Sequence, residues 1–580
     1  MVARMVKLDF PQDVVEICTT SLVSEFDDQI RLAHFSVQEF LIDLDDDRPH
    51  HPCQFSAAFG HKHLAEMSLN WVLAYTQPLT KGEATEQPLL VYGAKYWYTH
   101  VNALGGIDRL DPEFKTKALR LFTDSNVYFN WVSIVDSGNR GMDDVSWSVS
   151  LQKYDPPIYR ASSMGLLQAV DELLHRGTDP NTEALGKRSH GNALQAASSK
   201  GYDKIVQMLL DRGANVNAEG GYYGDALQAA SYGGDDKIVE ILLDRGANVN
   251  AEGGDYGSAL QAASSEGHDK IVQMLLDRGA NVNAEGGDYG SALQAASYGG
   301  HDKIVQMLLD RGADVNAEGG YYSNALLAAS FAGYDKIVEM LLDRGANVNA
   351  EGGDYGSALQ AASYGGDDKI VQMLLDRGAD VNAEGGYYGN ALQAASYGGD
   401  DKIVEILLDR GANVNAEGGE YGSTLQAAST EGHDKIVQML LDRGANVNAE
   451  GGEYSSALQA ASSEGHDKIV QMLLDRGANV NAEGGEYGSA LQAASTKGHD
   501  KIVQMLLDRG ADVNAEGGEY GSALQAASTK GHDKIVQMLL DRGANVNAEG
   551  GEYGSALQAA STKGHDKIVQ MLLDGGAGSL

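Results

Sequence analysis

Between residues 191 and 574 the chain repeats one order of apolar and polar positions every 33 residues, marked by the glycine of Asp-Arg-Gly at Gly213, Gly246, Gly279 and so on to Gly543. In the copy from Glu519 to Gly551, EYGSALQAASTKGHDKIVQMLLDRGANVNAEGG, the pattern predicts two short helices. Ser522-Ala523-Leu524-Gln525 has the S-x-x-Q form of a capping box, in which the hydroxyl accepts a backbone N–H and Gln525 reaches back to the cap. Ala523, Ala526 and Ala527 let a neighbouring helix approach closely, and Gly531 ends the helix in a left-handed conformation. Asp533 is read as the cap of a second helix that carries Ile535, Val536, Leu539 and Leu540 on one face and stops at Gly543. The segment NAEGGEYG turns the chain back. Two such helices cannot bury their apolar stripes alone, so neighbouring copies must stack.

SALQAASTKGHDKIVQMLLDRGANVN resembles the ankyrin-repeat pattern in its cap, Leu, Ala, Gly-His, Ile-Val, LLDRGA and closing Val-Asn. The family's usual T-P-L-H is replaced by Ser522-Ala523-Leu524-Gln525, which keeps the cap chemistry. The fold class expected is mostly α, an ankyrin-repeat solenoid of about 13 helix-turn-helix units preceded by a small helical, winged-helix-like region. An irregular first unit starts at Pro157, and the second has three extra residues around GKRSHG. The last copy, ending MLLDGGAGSL, keeps apolar Ile568, Val569 and Leu572 without a polar capping unit. Its outer face is therefore expected to be exposed and to mediate self-association, and truncation of a longer array would explain the abrupt end.

The stretch GHDK looks reactive, yet it recurs along the chain. A catalytic site needs different groups converging within about 3 Å, whereas stacked helical units are spaced ~10 Å apart. His532, Asp533 and Lys534 are accordingly read as a loop residue, a helix cap and a solvated charge. The His position becomes Asp235 or Tyr334 in other copies without other change. No catalytic residue and no enzyme activity is expected.

Ahead of the repeats, VVEICTTSLVSEFDDQIRLAHFSVQEFLIDL reads as a helix, a strand-like IRLAHF and a second helix. Through Leu32, Ala33, His34, Phe35, Ser36, Val37, Gln38, Glu39 and Phe40 it resembles the winged-helix region that follows the ATPase core in fungal NLR-like proteins of the NACHT, STAND class. HLAEMSLNWVLAY and PLLVYGAKYWYTHV have the helical, aromatic-rich pattern of a packed core around Trp71, Trp97 and Trp131, and resemble the connector those proteins place before their repeats. A generic helical cap for the first repeat explains the same tryptophans. The division expected is residues 1–50 winged-helix-like, 51–154 helical connector and 155–580 ankyrin repeats. The lone Gly-Lys pair, Gly186-Lys187, is followed by Arg188 and makes no P-loop, so neither nucleotide nor any other cofactor is expected. His50, His51, Cys53, His61 and His63 offer metal donors, but their spacing matches no common zinc pattern, and a polar loop with no metal is the reading adopted.

The formal net charge is -38, which repels phosphate backbones and anionic membranes and excludes nucleic acid as an expected partner. With two cysteines, no N-x-[ST] acceptor and no apolar run of membrane-spanning length, the location expected is cytoplasmic. The function expected is a non-catalytic protein–protein recognition scaffold, the ligand-sensing part of an NLR-like protein lacking its ATPase core. The alternative is a structural array or truncated product with no dedicated ligand. The ankyrin resemblance implies a protein or peptide ligand on the hairpin tips and inner-helix face, and the copies differ mainly at the residue opening the unit and at the end of the first helix, a concentration of differences that a passive spacer has no reason to show. Tyr232, Tyr298, Phe331, Tyr364 and Tyr397 at the helix end, with Tyr222, Tyr321 and Tyr387 at the tips, are the partner-binding residues expected, as a strip of exposed rings.

Overall fold

Alanine-rich and leucine-rich segments separated by glycines fold into thirteen helix pairs among the described residues, from Pro157 to Asp574. The structure, a computed structural model, describes residues 23–26, 29–32, 57–104, 110–137, 154–184 and 191–578. The chain divides into two compact units, Met1–Asn248 and Val249–Leu580.

In the first unit a short antiparallel pair, β1 (Val23–Phe26) and β2 (Gln29–Leu32), places Val23 opposite Leu32. The strand-like reading at Ile30–Leu32 therefore holds, while Val23–Phe26 is a second strand rather than the end of a helix. Residues 33–40, which carry most of the winged-helix resemblance, lie outside the described residues, as do His50, His51, Cys53 and Gly186-Lys187. Five helices follow: α1 (Ala57–Ala74), α2 (Lys81–Thr85), α3 (Pro88–Ala103), α4 (Pro112–Thr123) and α5 (Ser125–Ser137). Asp111 caps α4 by accepting from the Phe114 N–H, with Pro112 at the first helical position where its missing N–H costs nothing. α1 and α3 touch closely because residue 93 is glycine: a Cβ there would lie 2.7 Å from the Ser68 carbonyl oxygen. Edge-on contacts of Trp131 with Trp97, Phe122 and Tyr128, at centroid distances of 6.4, 5.5 and 5.7 Å, fill the centre. The Trp131 indole N–H donates to the Ala94 carbonyl at 2.9 Å, so the ring is buried without an orphaned donor. Trp97 and Trp131 are buried as the pattern predicts, and Trp71 is half-buried. Tyr128 hands its hydroxyl to the Asp155 carbonyl and Tyr98 to that of Met164, fastening the helices to the first repeat.

Each later repeat is built alike. In the copy above, Ser522 accepts from the Gln525 N–H at 3.3 Å and starts the helix Ala523–Lys530, which Gly531 ends at φ 85°. Ala523 through Thr529 are all buried, since this inner helix is flanked by its counterparts in adjacent copies. Small residues are what permit that spacing. The outer helix Asp533–Asp541 buries only one face, Ile535, Val536 and Leu539, with Leu540 half-buried. A minimal antiparallel hairpin then leads on, Glu549–Gly550 against Gly554–Ser555. Its Gly551 has φ 63°, and a Cβ there would meet the Tyr520 carbonyl oxygen of the preceding hairpin at 2.3 Å, so successive hairpins can lie against each other only through glycine.

Three sequence expectations are corrected here. Gln525 does not reach back to its own cap; its amide donates to the Gly550 and Gly554 carbonyls of the next hairpin at 2.9 and 2.7 Å. The reciprocal box forms at Asn192–Gln195 and Ser555–Gln558. The cap position of the outer helix is His532, not Asp533, and where that position is Asp235 or Asp400 the carboxylate does accept an N–H at 3.0 Å. In the last copy Ile568 and Leu572, expected on an exposed face, are buried against the preceding repeat at 2 % and 0 % exposure, and Leu573 is the exposed side chain instead.

Candidate recognition surface

The hairpin tips and the ends of the inner helices form one edge of each repeat. Within Val249–Leu580 the tip residues are joined by backbone hydrogen bonds: Asp288 N–H to Asp255 at 2.8 Å, Tyr321 to Asp288 at 2.9 Å, Tyr387 to Asp354 at 2.7 Å and Glu420 to Tyr387 at 3.0 Å. This ladder fixes the tips as a row. Behind it, Gln amides such as Gln294 and Gln360 hold the next hairpin from below, at 3.0 Å to Gly319 and 3.0 Å to Gly385.

Between residues 289 and 421 the edge is aromatic. Each helix-end ring inserts between the tyrosine of its own hairpin and that of the next. Tyr298 lies 6.1 Å from Tyr289 and 4.6 Å from Tyr322; Phe331 lies 5.6 Å from Tyr322 and 4.5 Å from Tyr355. Tyr364 continues against Tyr355 and Tyr388, and Tyr397 against Tyr388 and Tyr421, the last at 4.8 Å. Burial first, and then the phenols that share hydrogen bonds with them, push Tyr322, Tyr388 and Tyr421 well above the ordinary tyrosine range.

The strip is thus not the row of free-standing rings expected. Tyr232, Tyr298, Phe331, Tyr364 and Tyr397 are half-buried, because the hairpin tyrosines, which the sequence reading did not single out, fold over them. Tyr222 is half-buried too and packs edge-on against Tyr223 at 5.0 Å. Tyr321 and Tyr387, at 59 % and 47 % exposure, are the two strip residues that stand open to solvent. They border a shallow notch of about 420 Å³ with Asp354 between them and Tyr355 and Tyr388 beneath. A second notch, about 400 Å³, opens where the stack stops at Tyr421 and is lined by Glu431, Glu453 and Glu464.

The GHDK residues lie elsewhere in each repeat and have structural roles beyond those expected. The His532 Nε2–H donates to the Thr496 carbonyl of the preceding repeat at 3.1 Å, as His433 does to Tyr397 at 3.0 Å. Lys534 pairs with Asp500, and Arg542 with Asp508 at 2.5 Å. The same pairing recurs from Lys303–Asp269 and Arg311–Asp277 onward. The lysine holds the Asp500 carboxyl below the ordinary carboxylate range. Because these pairs are solvent-exposed, each contributes little to stability. In the helical region His61 meets His100, Nδ1 to Nδ1 at 3.0 Å, and Tyr92 meets the other ring nitrogen of His100 at 2.8 Å. Burial, with His61 adding to it, lowers the His100 pKa. No group of three His, Cys, Asp or Glu that could hold a metal occurs among the described residues.

The repeat geometry agrees with a family model described as ankyrin repeats (3 copies), which matches in overlapping windows from residues 158–253 through 515–578. The chain belongs to the ankyrin-repeat family. Ankyrin repeats act in general as non-catalytic scaffolds that bind other proteins. Over 202 residues this ankyrin-repeat chain is 33 % identical to the azaphilone pigments biosynthesis cluster protein L of Monascus ruber, covering 32 % of the chain and 42 % of the relative. The chain therefore spans under half the length of the curated relative it matches. No helix among the described residues is long and apolar enough to cross a membrane.

Proposed function

We propose that the chain recognises a protein or peptide on its hairpin tips and inner-helix ends, centred on the aromatic strip of residues 289–421. The observation that carries this reading is where the copies differ. Buried positions such as Leu293, Leu359 and Leu425, or Val305, Val371 and Val437, keep one residue, while the tips vary among Asp288, Tyr321 and Glu420 and the helix ends among Ser265, Phe331 and Thr430. Varying the rim of a fixed scaffold alters specificity without refolding it. Placing a photo-crosslinking residue at Asp288 or Asp354, and separately at Gln306 on the outer helix, tests the site with a peptide chosen from a random display library on the full chain. Crosslinks from the tips and none from position 306 are expected; crosslinking from position 306 alone would place recognition on the other face.

In this proposal the array is the ligand-sensing part of a fungal NLR-like protein, with residues 1–50 as the winged-helix-like remnant, 51–154 as connector and 155–580 as repeats. Support comes from the resemblance of Leu32–Phe40 and from a helical bundle immediately ahead of the repeats. Cytoplasmic placement is supported by the two cysteines and the missing glycosylation acceptors. An in-frame P-loop encoded upstream of Met1 would support the sensor; upstream sequence without one would contradict it.

A further inference from the structure

We propose that the partner of this surface is a basic segment, anchored by an arginine side chain in the notch between Tyr321 and Tyr387 and by a second cation in the notch of Glu431, Glu453 and Glu464. The proposal rests on the recognition reading above and adds the chemistry of the partner.

Charge is segregated within the repeats between residues 249 and 496. From residue 249 to residue 496 every Lys and Arg sits in an Asp-Lys or Asp-Arg pair of the outer helix. From Lys303 onward each is engaged by an aspartate one repeat earlier, as Lys369 is by Asp335 and Arg377 by Asp343. The tips and inner helices of the same stretch carry carboxylates alone, including Glu252, Asp288, Glu318, Asp354, Glu420 and Glu453. Most of the uncompensated negative charge of this stretch therefore lies along the edge that holds the rings.

The first notch has the parts a guanidinium needs. Tyr321 and Tyr387 expose ring surface on either side, Tyr355 and Tyr388 supply an aromatic floor, and Asp354 supplies the carboxylate. Arginine stacks on aromatic faces and takes a carboxylate in bidentate fashion, which a lysine ammonium does less well. The structure itself shows that a cation can sit over the equivalent hairpin ring: Lys497, Lys530 and Lys563 lie 5.8, 5.4 and 4.9 Å from the centroids of Tyr487, Tyr520 and Tyr553. In those later copies the chain supplies the cation; between residues 289 and 421 it does not.

Fluorescence anisotropy on the full chain tests this with three labelled probes: (Arg-Gly-Ser)₄, (Lys-Gly-Ser)₄ and (Gln-Gly-Ser)₄. Saturable binding is expected for the arginine probe, weaker binding for the lysine probe and none for the glutamine probe. Tyr321→Asp with Tyr387→Asp installs the residue that Asp255 and Asp288 already occupy, so the fold should hold, as a thermal melt will check. This pair makes the surface more negative, yet it should weaken the arginine probe about tenfold through loss of the rings. Glu431→Gln with Glu464→Gln should also weaken it, while Glu549→Gln with Glu552→Gln, an equal charge change at the last tip, should not. Arginine-probe binding that is absent, or unchanged or tighter in the Tyr→Asp pair, overturns the proposal. A library-selected peptide of neutral composition that is lost in the Tyr→Asp pair would overturn the basic partner while keeping the recognition surface. Selected peptides indifferent to both the Tyr→Asp and the Glu431/Glu464 pairs would overturn the recognition reading as well.

Discussion

Two stretches of Val249–Leu580 share one backbone plan and differ in what fills the gap between hairpin and inner helix. From Tyr289 to Tyr421 the filling is a stack of rings that runs from copy to copy. From residue 496 to 529 the same helix position is Thr, whose hydroxyl turns inward to the carbonyl one helical turn back, Thr496 to Gln492 at 2.8 Å and Thr529 to Gln525 at 2.7 Å. The hairpin tyrosine there is covered by a lysine of its own repeat. Both solutions leave the buried Leu and Val positions unchanged, and Gln staples recur in both, as at Gln360 and Gln492, although Leu327 takes the Gln position and Tyr334, Asp367 and Asp400 take the histidine position within the aromatic stretch. The scaffold is thus fixed by contacts behind the edge, and the edge is free to carry different chemistry.

The largest way to break the comparison is to give the first stretch the filling of the second. Changing Tyr298, Phe331, Tyr364 and Tyr397 together to Ser should destabilise the aromatic stretch by roughly 4 to 8 kcal/mol, since each loses ring contacts and buried area. The reciprocal Thr496→Ser with Thr529→Ser should cost under ~1 kcal/mol in total. Equal melting shifts for the two sets would show that the stack contributes no more than the hydroxyls do.

Core deletions should erase the difference. Leu407 and Leu506, one in each stretch, are both fully buried. Either change to Ala should cost ~2 to 5 kcal/mol through the cavity left behind. Denaturant melts of the two variants should match; a several-fold disparity would mean that the stretches do not share one core.

Alkaline titration separates the stretches by chemistry. Tyr322, Tyr388 and Tyr421 bind their protons more tightly folded than unfolded. Above pH ~10 the unfolded chain releases protons that the folded stack keeps, so stability is intact below that pH and falls as pH rises through it. Tyrosinate absorbance should therefore appear together with loss of helical ellipticity in the aromatic stretch. Ionisation of all 27 tyrosines at the ordinary value with the helices intact would contradict the buried stack. The smallest effect should be that of Lys497→Gln, under ~0.5 kcal/mol, because its ring contact is largely exposed and at 5.8 Å.

Much of this architecture is written in local spacing. The period of 33 counts the helix pairs, and the cap residues and glycine stops mark their ends, since each end depends on residues within one turn of one another. What local spacing hides is the partner one copy away. Gln525 has a plausible bond three residues back, but the next hairpin offers its amide two carbonyls instead. His532 looks like a loop residue until the preceding repeat brings the Thr496 carbonyl to it, and Lys534, solvated as read, also meets Asp500. The same limit misjudged the tyrosines. Their positions were legible as an edge, yet a ring at a helix end reads as exposed unless one knows that the following hairpin folds over it. Ile568 and Leu572 fail for a related reason: an apolar stripe in a last copy says nothing of which side meets the repeat before it.

Hydrogen exchange of the full chain, with and without a library-selected peptide, tests the central claim most directly. The account predicts slowed exchange at the tips and inner-helix ends between residues 287 and 421, with the outer helices Asp302–Asp310, Asp335–Asp343 and Asp368–Asp376 unchanged. Slowing confined to those outer helices, or confined to the threonine-bearing repeats after residue 489, would contradict it.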